Sequence, residues 1–375
     1  MAELVALDLP AGPRFVDALR AVWDAGDAVL PVDPRLPRPA AERLLAALRP
    51  AAVVTTTGRT TLDGGLPVEP GDALVVATSG TSGEPKGVVH TRDSVVASAR
   101  LTSAGLGVDP GRDRWVSCLP LAHIGGLSVV TRSLVTGTPC TVLERFDPAA
   151  VEEEARRGAT LVSLVATALG RCDTSDYRSV LLGGAPPPAD LPSNVVTTYG
   201  MTETGSGCVY DGRALQGVEL RIGDGRRGAE GEILVRGPML LRAYRDGTDP
   251  RLPGGWLPTG DGGRLEEDGT LVVFGRMAEV IVTGAEKVWP TQVEEVLALH
   301  AGVAEVAVWK RPDPEWGERV VAWVVPAVGT PAPGLDELRD LVGDSLARWA
   351  APRELVVVDT IPRTAGGKVR RTALI

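Results

Sequence analysis

Thr78-Ser79-Gly80-Thr81-Ser82-Gly83-Glu84-Pro85-Lys86-Gly87 follows the apolar run Ala73-Leu74-Val75-Val76-Ala77. The run reads as a buried strand. What it feeds is a loop of glycines, hydroxyls and one lysine. Glycines let the backbone come close to an anion, hydroxyl and amide groups donate hydrogen bonds to it, and Lys86 adds charge. The stretch is a candidate phosphate cradle. It departs from the G-x-x-x-x-G-K-[ST] loop, because Lys86 follows Pro85 and Gly87 stands where Ser or Thr would be. A flexible surface loop is the bland alternative, and two TSG units in tandem before PKG argue against it.

Six more segments follow in order: Leu119-Pro120-Leu121-Ala122-His123-Ile124-Gly125-Gly126-Leu127, Gly183-Gly184-Ala185-Pro186, Tyr199-Gly200-Met201-Thr202-Glu203-Thr204, Trp256-Leu257-Pro258-Thr259-Gly260-Asp261, Gly275-Arg276 and Pro362-Arg363-Thr364-Ala365-Gly366-Gly367-Lys368. With the phosphate loop, they resemble the ordered motifs of the adenylate-forming superfamily: acyl- and aryl-CoA ligases, luciferases and peptide-synthetase adenylation domains. The resemblance spans roughly residues 70 to 375. Within it, the blocks 119–137, 283–290 and 351–355 are most similar to the o-succinylbenzoate–CoA ligases of menaquinone synthesis, with Ala285 and Lys287 in place of the usual Gly and Asn. The stretch before Thr78 is shorter than the family usually carries, so the missing material is expected to be peripheral subdomain.

Composition limits the function classes. Lys and Arg number 39 against 48 Asp and Glu, a formal charge of −9, which disfavours nonspecific nucleic-acid binding. An anionic substrate must then be met by local positive groups. Cys118, Cys140, Cys172 and Cys208 form no C-x-x-C pair, so reduced thiols in a cytoplasmic protein are expected. The N-terminus lacks a signal-like pattern, and no apolar run reaches membrane-spanning length.

Apolar periodicity predicts helices over 14–23 and 40–48 and strands at 51–54, 179–182 and 195–198. The last two end at Gly183 and Tyr199. Open α/β sheets bind ligands at such strand ends. Beyond 275–284 the pattern changes. Val293, Val296, Leu297 and His300 share a helical face, 303–309 and 319–325 read as strands, Leu335, Leu338, Leu341 and Val342 mark a helix, and 354–358 a final strand. The expected architecture is a large N-terminal α/β domain, 1–277, binding ATP and the acid, and a small mobile α+β domain, 278–375, on a hinge.

The resemblance implies ATP, Mg²⁺ and coenzyme A acting on a small carboxylic acid. It implies phosphate contacts from Thr78, Ser79, Gly80, Thr81, Ser82, Gly83 and Lys86, an adenine wall at Gly183, Gly184 and Ala185 with Tyr199 and Gly200 opposite, and ribose contacts from Asp261 and Arg276. Thr202 would donate to the α-phosphate and Glu203 would bind Mg²⁺. Lys368 would contact both the attacking carboxylate and the α-phosphate. His123 would line the acyl pocket, a gate or a packing role being the alternative. Ser128 and Arg132 could take a second carboxylate, unless Arg132 faces outward. Gly284 would line the tunnel for the pantetheine arm, or serve as a turn glycine with φ > 0. Ala278 replaces the usual polar hinge residue. His90 and His300 read as surface or helix-end residues. Alternative functions are another small aryl- or acyl-CoA ligase, an adenylation domain loading a carrier protein, or a nonenzymatic nucleotide binder, which intact Glu203, Asp261, Arg276 and Lys368 oppose.

Overall fold

Leu4-Val5-Ala6-Leu7 carries no polar side chain, and all four residues are 0% exposed. A strand with both faces buried belongs inside a parallel sheet. It lies between Ala28–Pro31 and Ala52–Thr55, parallel to both. The computed structural model describes every residue except 80–83, 189, 224, 226, 227, 364–368 and 375, and only the backbone of Ser79. Two compact units result, Met1–Leu220 with Val235–Leu257, and Arg221–Leu234 with Pro258–Ile375.

The first unit holds two seven-stranded sheets. The first sheet takes the helix Pro13–Asp24 on one face. Pro13 suits the first turn, where its missing N–H costs nothing. Phe15, Leu19, Val22 and Trp23 are buried on that helix. The Trp23 indole N–H donates to the Ala73 carbonyl at 2.8 Å, and the Arg92 guanidinium stacks 4.3 Å from its ring.

The strand Asp72–Ser79 runs parallel to Ala28–Pro31 and returns antiparallel as Pro85–Thr91, with Thr78 opposite Lys86 and Ser79 opposite Pro85. The phosphate-loop segment therefore starts and ends in a pair of antiparallel strands. Gly87 is a packing glycine: a Cβ there would meet Val75 Cγ1 at 2.7 Å and Leu48 Cδ2 at 2.9 Å, so Ser or Thr has no room. His90 overturns the surface reading. It is 1% exposed, in a strand buried on both faces from Gly87 to His90, and burial pushes its pKa down to about 4.

In the second sheet, Ser179–Leu182 lies parallel to Leu161–Leu164 and to Val195–Met201. The last strand does not stop at Tyr199. It continues to Met201, because its end pairs antiparallel with Ser206–Tyr210, with a bulge between Tyr199 and Gly200. The four cysteines are free thiols, Cys118 and Cys208 buried and Cys140 and Cys172 partly so. Burial pushes the thiols of Cys118, Cys140 and Cys208 up to about 12 and raises that of Cys172.

In the second unit, the long antiparallel strands Val303–Asp313 and Gly317–Pro326 form the spine of a five-stranded sheet, and Glu354–Val357 adds in parallel. The helices Pro290–Leu297 and Leu335–Ser345 bury Val293, Leu297, Leu338 and Val342 in the core that also takes Val308, Val320 and Val324. His300 follows the first helix and meets Glu337 at 3.0 Å. Ile281–Thr283 and Glu286–Val288 form a hairpin closed by Gly284 and Ala285 at φ 59° and 68°. Two consecutive positive φ values across a two-residue loop define a type I′ turn. Gly284 has a second reason to lack a side chain, since a Cβ would lie 2.6 Å from the Trp316 ring.

Two outcomes follow from these placements. Gly284→Ala should cost about 1–3 kcal/mol by overpacking against Trp316, whereas Ala285→Gly should gain up to about 1 kcal/mol by relieving a left-handed alanine. Denaturant titration of both variants checks the contrast, and equal losses would refute the turn assignment. For His90, the unfolded chain takes up a proton as pH falls through 6.5, while the folded protein resists until about 4. Stability is thus present above pH 6.5 and lost progressively between 6.5 and 4, by about 3 kcal/mol in full. Unfolding free energies of wild type and His90→Gln should diverge by this amount across that window.

Candidate active site

The centre of the first unit is the 3₁₀ turn Thr202–Thr204, which follows the strand Val195–Met201. The Thr204 hydroxyl holds the turn by accepting from the Met201 N–H at 2.8 Å and lying 2.7 Å from the Ser206 carbonyl. Gly205, at φ 68°, turns the chain back. Glu203 is fixed twice. Its carbonyl accepts from the Leu241 N–H at 2.8 Å, and its Oε1 accepts from the Tyr244 hydroxyl at 3.0 Å. The Lys86 ammonium sits 5.1 Å from the centroid of the same Tyr244 ring. Burial, and then the neighbouring Glu203 charge, raises the Tyr244 pKa, so its hydroxyl stays a donor. Beneath the turn, His90 Nε2 lies 2.7 Å from the Thr202 carbonyl.

Thr78, Lys86, Thr202 and Glu203 thus fall on elements of one unit. Thr78 Oγ1 lies 3.5 Å from the Lys86 carbonyl across the hairpin. Gly80, Thr81, Ser82 and Gly83 lie outside the described residues. Tyr244 and His90 are site candidates that sequence reading missed. Tyr244 stands on the two-residue strand Ala243–Tyr244, too short to carry a pattern.

Gly183 leaves the strand Ser179–Leu182 beside Thr198 and Tyr199, because Leu182 pairs with Thr197 in the parallel ladder. A Cβ on Gly183 would meet Thr198 Oγ1 at 2.6 Å, so the two strand ends close up tightly. Gly184, at φ 87°, and Ala185 are exposed there. His123 is exposed and precedes the helix Ile124–Thr136, its carbonyl accepting from Gly126 and Leu127 at 3.1 and 3.0 Å. On that helix Ser128 and Arg132 point inward. Arg132 is 3% exposed, stacks 5.4 Å from the Trp115 ring and donates through Nη2 to Ser206 Oγ at 3.1 Å. Its Nε and Nη1 have no hydrogen-bond partner among the described residues. Burial lowers its pKa.

In the second unit, Asp261 and Arg276 are direct cross-strand partners, and Arg276 Nε meets Asp261 Oδ1 at 3.1 Å. Thr259 supports the pair, accepting the Asp261 N–H at 3.1 Å and donating to the Ile233 carbonyl at 2.8 Å. Gly262 follows with no room for a side chain, since a Cβ would fall 1.9 Å from the Trp289 ring. Lys368 lies outside the described residues. The residues flanking 364–368 pair with each other, Arg363 with Val369, and the Arg370 N–H donates to the Pro362 carbonyl at 2.8 Å. Arg371 is anchored to Glu294 at 2.7 Å and to Glu279, next to Ala278, at 3.5 Å.

Among the described residues no cluster of three or more His, Cys, Asp or Glu side chains could cage a metal. A single carboxylate, Glu203, already oriented by Tyr244, suits Mg²⁺, which keeps its waters and binds one or two carboxylates plus substrate phosphates.

Comparison with known proteins identifies the family. Residues 66–245 match the AMP-binding enzyme model, and residues 292–368 match the AMP-binding enzyme C-terminal domain. The chain is 39% identical to a probable 2-succinylbenzoate–CoA ligase of Mycobacterium tuberculosis, over 90% of this chain and 94% of the relative. The solved o-succinylbenzoate CoA synthetase of Bacillus subtilis, in complex with its acyl-adenylate intermediate, superposes with a TM-score of 0.83 at 29% identity, covering 99% of this chain and 88% of that one. An amide bond synthetase of Marinactinospora thermotolerans superposes at 0.85, also at 29% identity, covering 100% and 89%. With both its nucleotide-binding segment and its terminal segment matched, and a relative aligned over nearly its whole length, this chain belongs to the AMP-binding enzyme family.

Proposed function

We propose that the protein is a cytoplasmic ATP-dependent acid–CoA ligase whose acid is o-succinylbenzoate. A carboxylate oxygen of the acid attacks the α-phosphorus of ATP, the bond to the β-phosphate oxygen breaks, and pyrophosphate leaves. The CoA sulfur then attacks the acyl carbon, the bond to the phosphate oxygen breaks, AMP departs and the thiol proton goes to solvent. The first step brings two anions together, so cationic and hydrogen-bonding groups aimed at the phosphate oxygens lower its barrier. Thr78, Ser79, Gly80, Thr81, Ser82, Gly83 and Lys86 hold the β- and γ-phosphates, Thr202 the α-phosphate, and Lys368 the reacting oxygens. Mg²⁺ entering with ATP and held by Glu203 supplies charge neutralisation at the phosphates. Gly183, Gly184, Ala185, Tyr199 and Gly200 take adenine, and Asp261 with Arg276 the ribose. His123 orients the acid. Residues 278–375 move about Ala278 between the steps, and the hairpin at Gly284 then meets the pantetheine arm.

The observation that carries the choice of acid is Arg132. A buried guanidinium with two nitrogens unpaired among the described residues is costly to the free protein. A second carboxylate at the far end of an aromatic acid would give those donors a partner, and a monocarboxylic acid would not. Incubation with ATP, Mg²⁺, CoA and o-succinylbenzoate should give AMP, pyrophosphate and the CoA thioester, with acetate and palmitate poor. Arg132→Met should fold at least as stably as wild type, yet raise KM for the diacid about 10- to 100-fold, as loss of a charged hydrogen bond does. Faster turnover of either fatty acid would reject the assignment. Amines offered in place of CoA test the acceptor, with product mass deciding between amide and thioester.

Lys368 acts in the first step only. Lys368→Ala should lower ATP–pyrophosphate exchange by about 10²–10³-fold, while thioester formation from supplied acyl-adenylate survives. Equal loss of both steps would make Lys368 a structural residue.

A further inference from the structure

His90 is a buried polar group 112 positions from its partner, Thr202, and nothing in the reaction outlined above uses it. Its place in the fold is specific. It stands near the end of the strand Pro85–Thr91, whose second residue is Lys86. Its Nε2 is 2.7 Å from the Thr202 carbonyl, which has no proton to give. The ring therefore carries its hydrogen on Nε2 and donates. The other nitrogen, Nδ1, faces the Ser94 hydroxyl at 3.3 Å. Ser94 is in turn fixed at the start of the helix Arg92–Gly105, where its N–H donates to Thr91 Oγ1 at 3.1 Å. The imidazole is thus clamped from behind by a helix terminus and reaches forward to one carbonyl.

That carbonyl belongs to the residue that opens the Thr202–Thr204 turn. Glu203 is tied to the Pro85–Thr91 strand indirectly, through Leu241 and Tyr244 of the segment that pairs with Val88 and Val89, and His90 makes the direct hydrogen bond from that strand to Thr202. Thr202 and Lys86 must address neighbouring phosphates of one nucleotide. We propose that His90 is a positioning residue of the adenylating step, whose hydrogen bond to the Thr202 carbonyl holds the Thr202–Glu203 turn in register with the strand that carries Lys86. The proposal rests on the roles given above to Thr202 and Lys86. It touches no reacting atom, so its effect must appear as misplacement of Thr202.

The two steps of the reaction separate this role from a merely structural one. His90→Ala should lower the kcat of ATP–pyrophosphate exchange by about 10- to 100-fold, the scale of a misplaced phosphate contact. KM for the acid and the rate of thioester formation from supplied acyl-adenylate should stay near wild type. His90→Gln has an amide that reaches Thr202 and should restore most of the exchange rate. His90→Asn has the same amide on a shorter arm and should not, which keeps the comparison valid if the alanine variant fails to fold. In a Thr202→Val background, which itself loses exchange, replacing His90 should cost little more. Equal loss in both steps, following the fall in Tm, would overturn the proposal, as would Gln performing no better than Asn. If Thr202→Val leaves exchange intact, the role of Thr202 fails and this proposal with it. If Thr202→Val loses exchange and the His90 variants do not, this proposal alone fails.

Discussion

Two anions have to meet on a protein that itself carries a formal charge of −9. Charges more than about 10 Å away are largely screened at 0.1 M salt, so the outcome rests on a few cations held at the right points. Each described cation of the candidate site has a neighbour that aims it. Lys86 lies against the face of Tyr244, Arg132 against that of Trp115, and Arg276 across the ladder from Asp261. An aromatic face orients a cation without neutralising it, which leaves the charge available to a phosphate or carboxylate. Asp261 does neutralise its partner, and that suits the neutral sugar proposed for it: the carboxylate is the group that accepts from hydroxyls, and the arginine holds it in place.

The signature glycines serve the chain as well as the ligand. Gly87, Gly183 and Gly200 would each bring a Cβ into contact with a neighbouring strand, most severely Gly200, 2.2 Å from the Ser206 carbonyl. The short approach at Gly200 is what lets the strand end pass into the bulge and then into the Thr202–Thr204 turn. A motif read as nucleotide recognition is therefore also a packing requirement of the sheet that supports it. A side chain placed at Gly200 should therefore disturb the sheet even where no substrate atom is near.

Fold elements were legible where pattern and length agreed. The run Ala73–Ala77 is apolar throughout and Ser179–Leu182 is apolar after its first residue, and the helix periodicity at 335–342 marks Leu338 and Val342, which are buried, together with the half-buried Leu335 and Leu341. The strand through Tyr199–Met201 was read short because its extension depends on Ser206–Tyr210, a partner that local pattern does not reveal. His90 was misread for a related reason. Val88, Val89 and His90 are all buried, so no alternation marks the histidine's side, and its partner lies on a distant turn. Family motifs located Thr202, Glu203, Asp261 and Arg276, but only the register of two strands made the last two a pair. Tyr244 left no signal because a two-residue strand has no period. Arg132, open to an inward or outward reading, was decided by packing on Trp115.

The cysteines bear on how an enzyme of this kind coexists with CoA. Attack on a disulfide, or capture of an oxidised CoA, requires a thiolate. With Cys118, Cys140 and Cys208 pushed up to about 12 and Cys172 also raised, almost no protein thiolate exists at neutral pH. The folded protein is accordingly a poor partner for mixed disulfides with its own co-substrate. A thiol-reactive dye added to a native reaction mixture would therefore react with free coenzyme A well before the buried Cys118 and Cys208, so consumption of the free thiol can be followed with the protein present in catalytic amount.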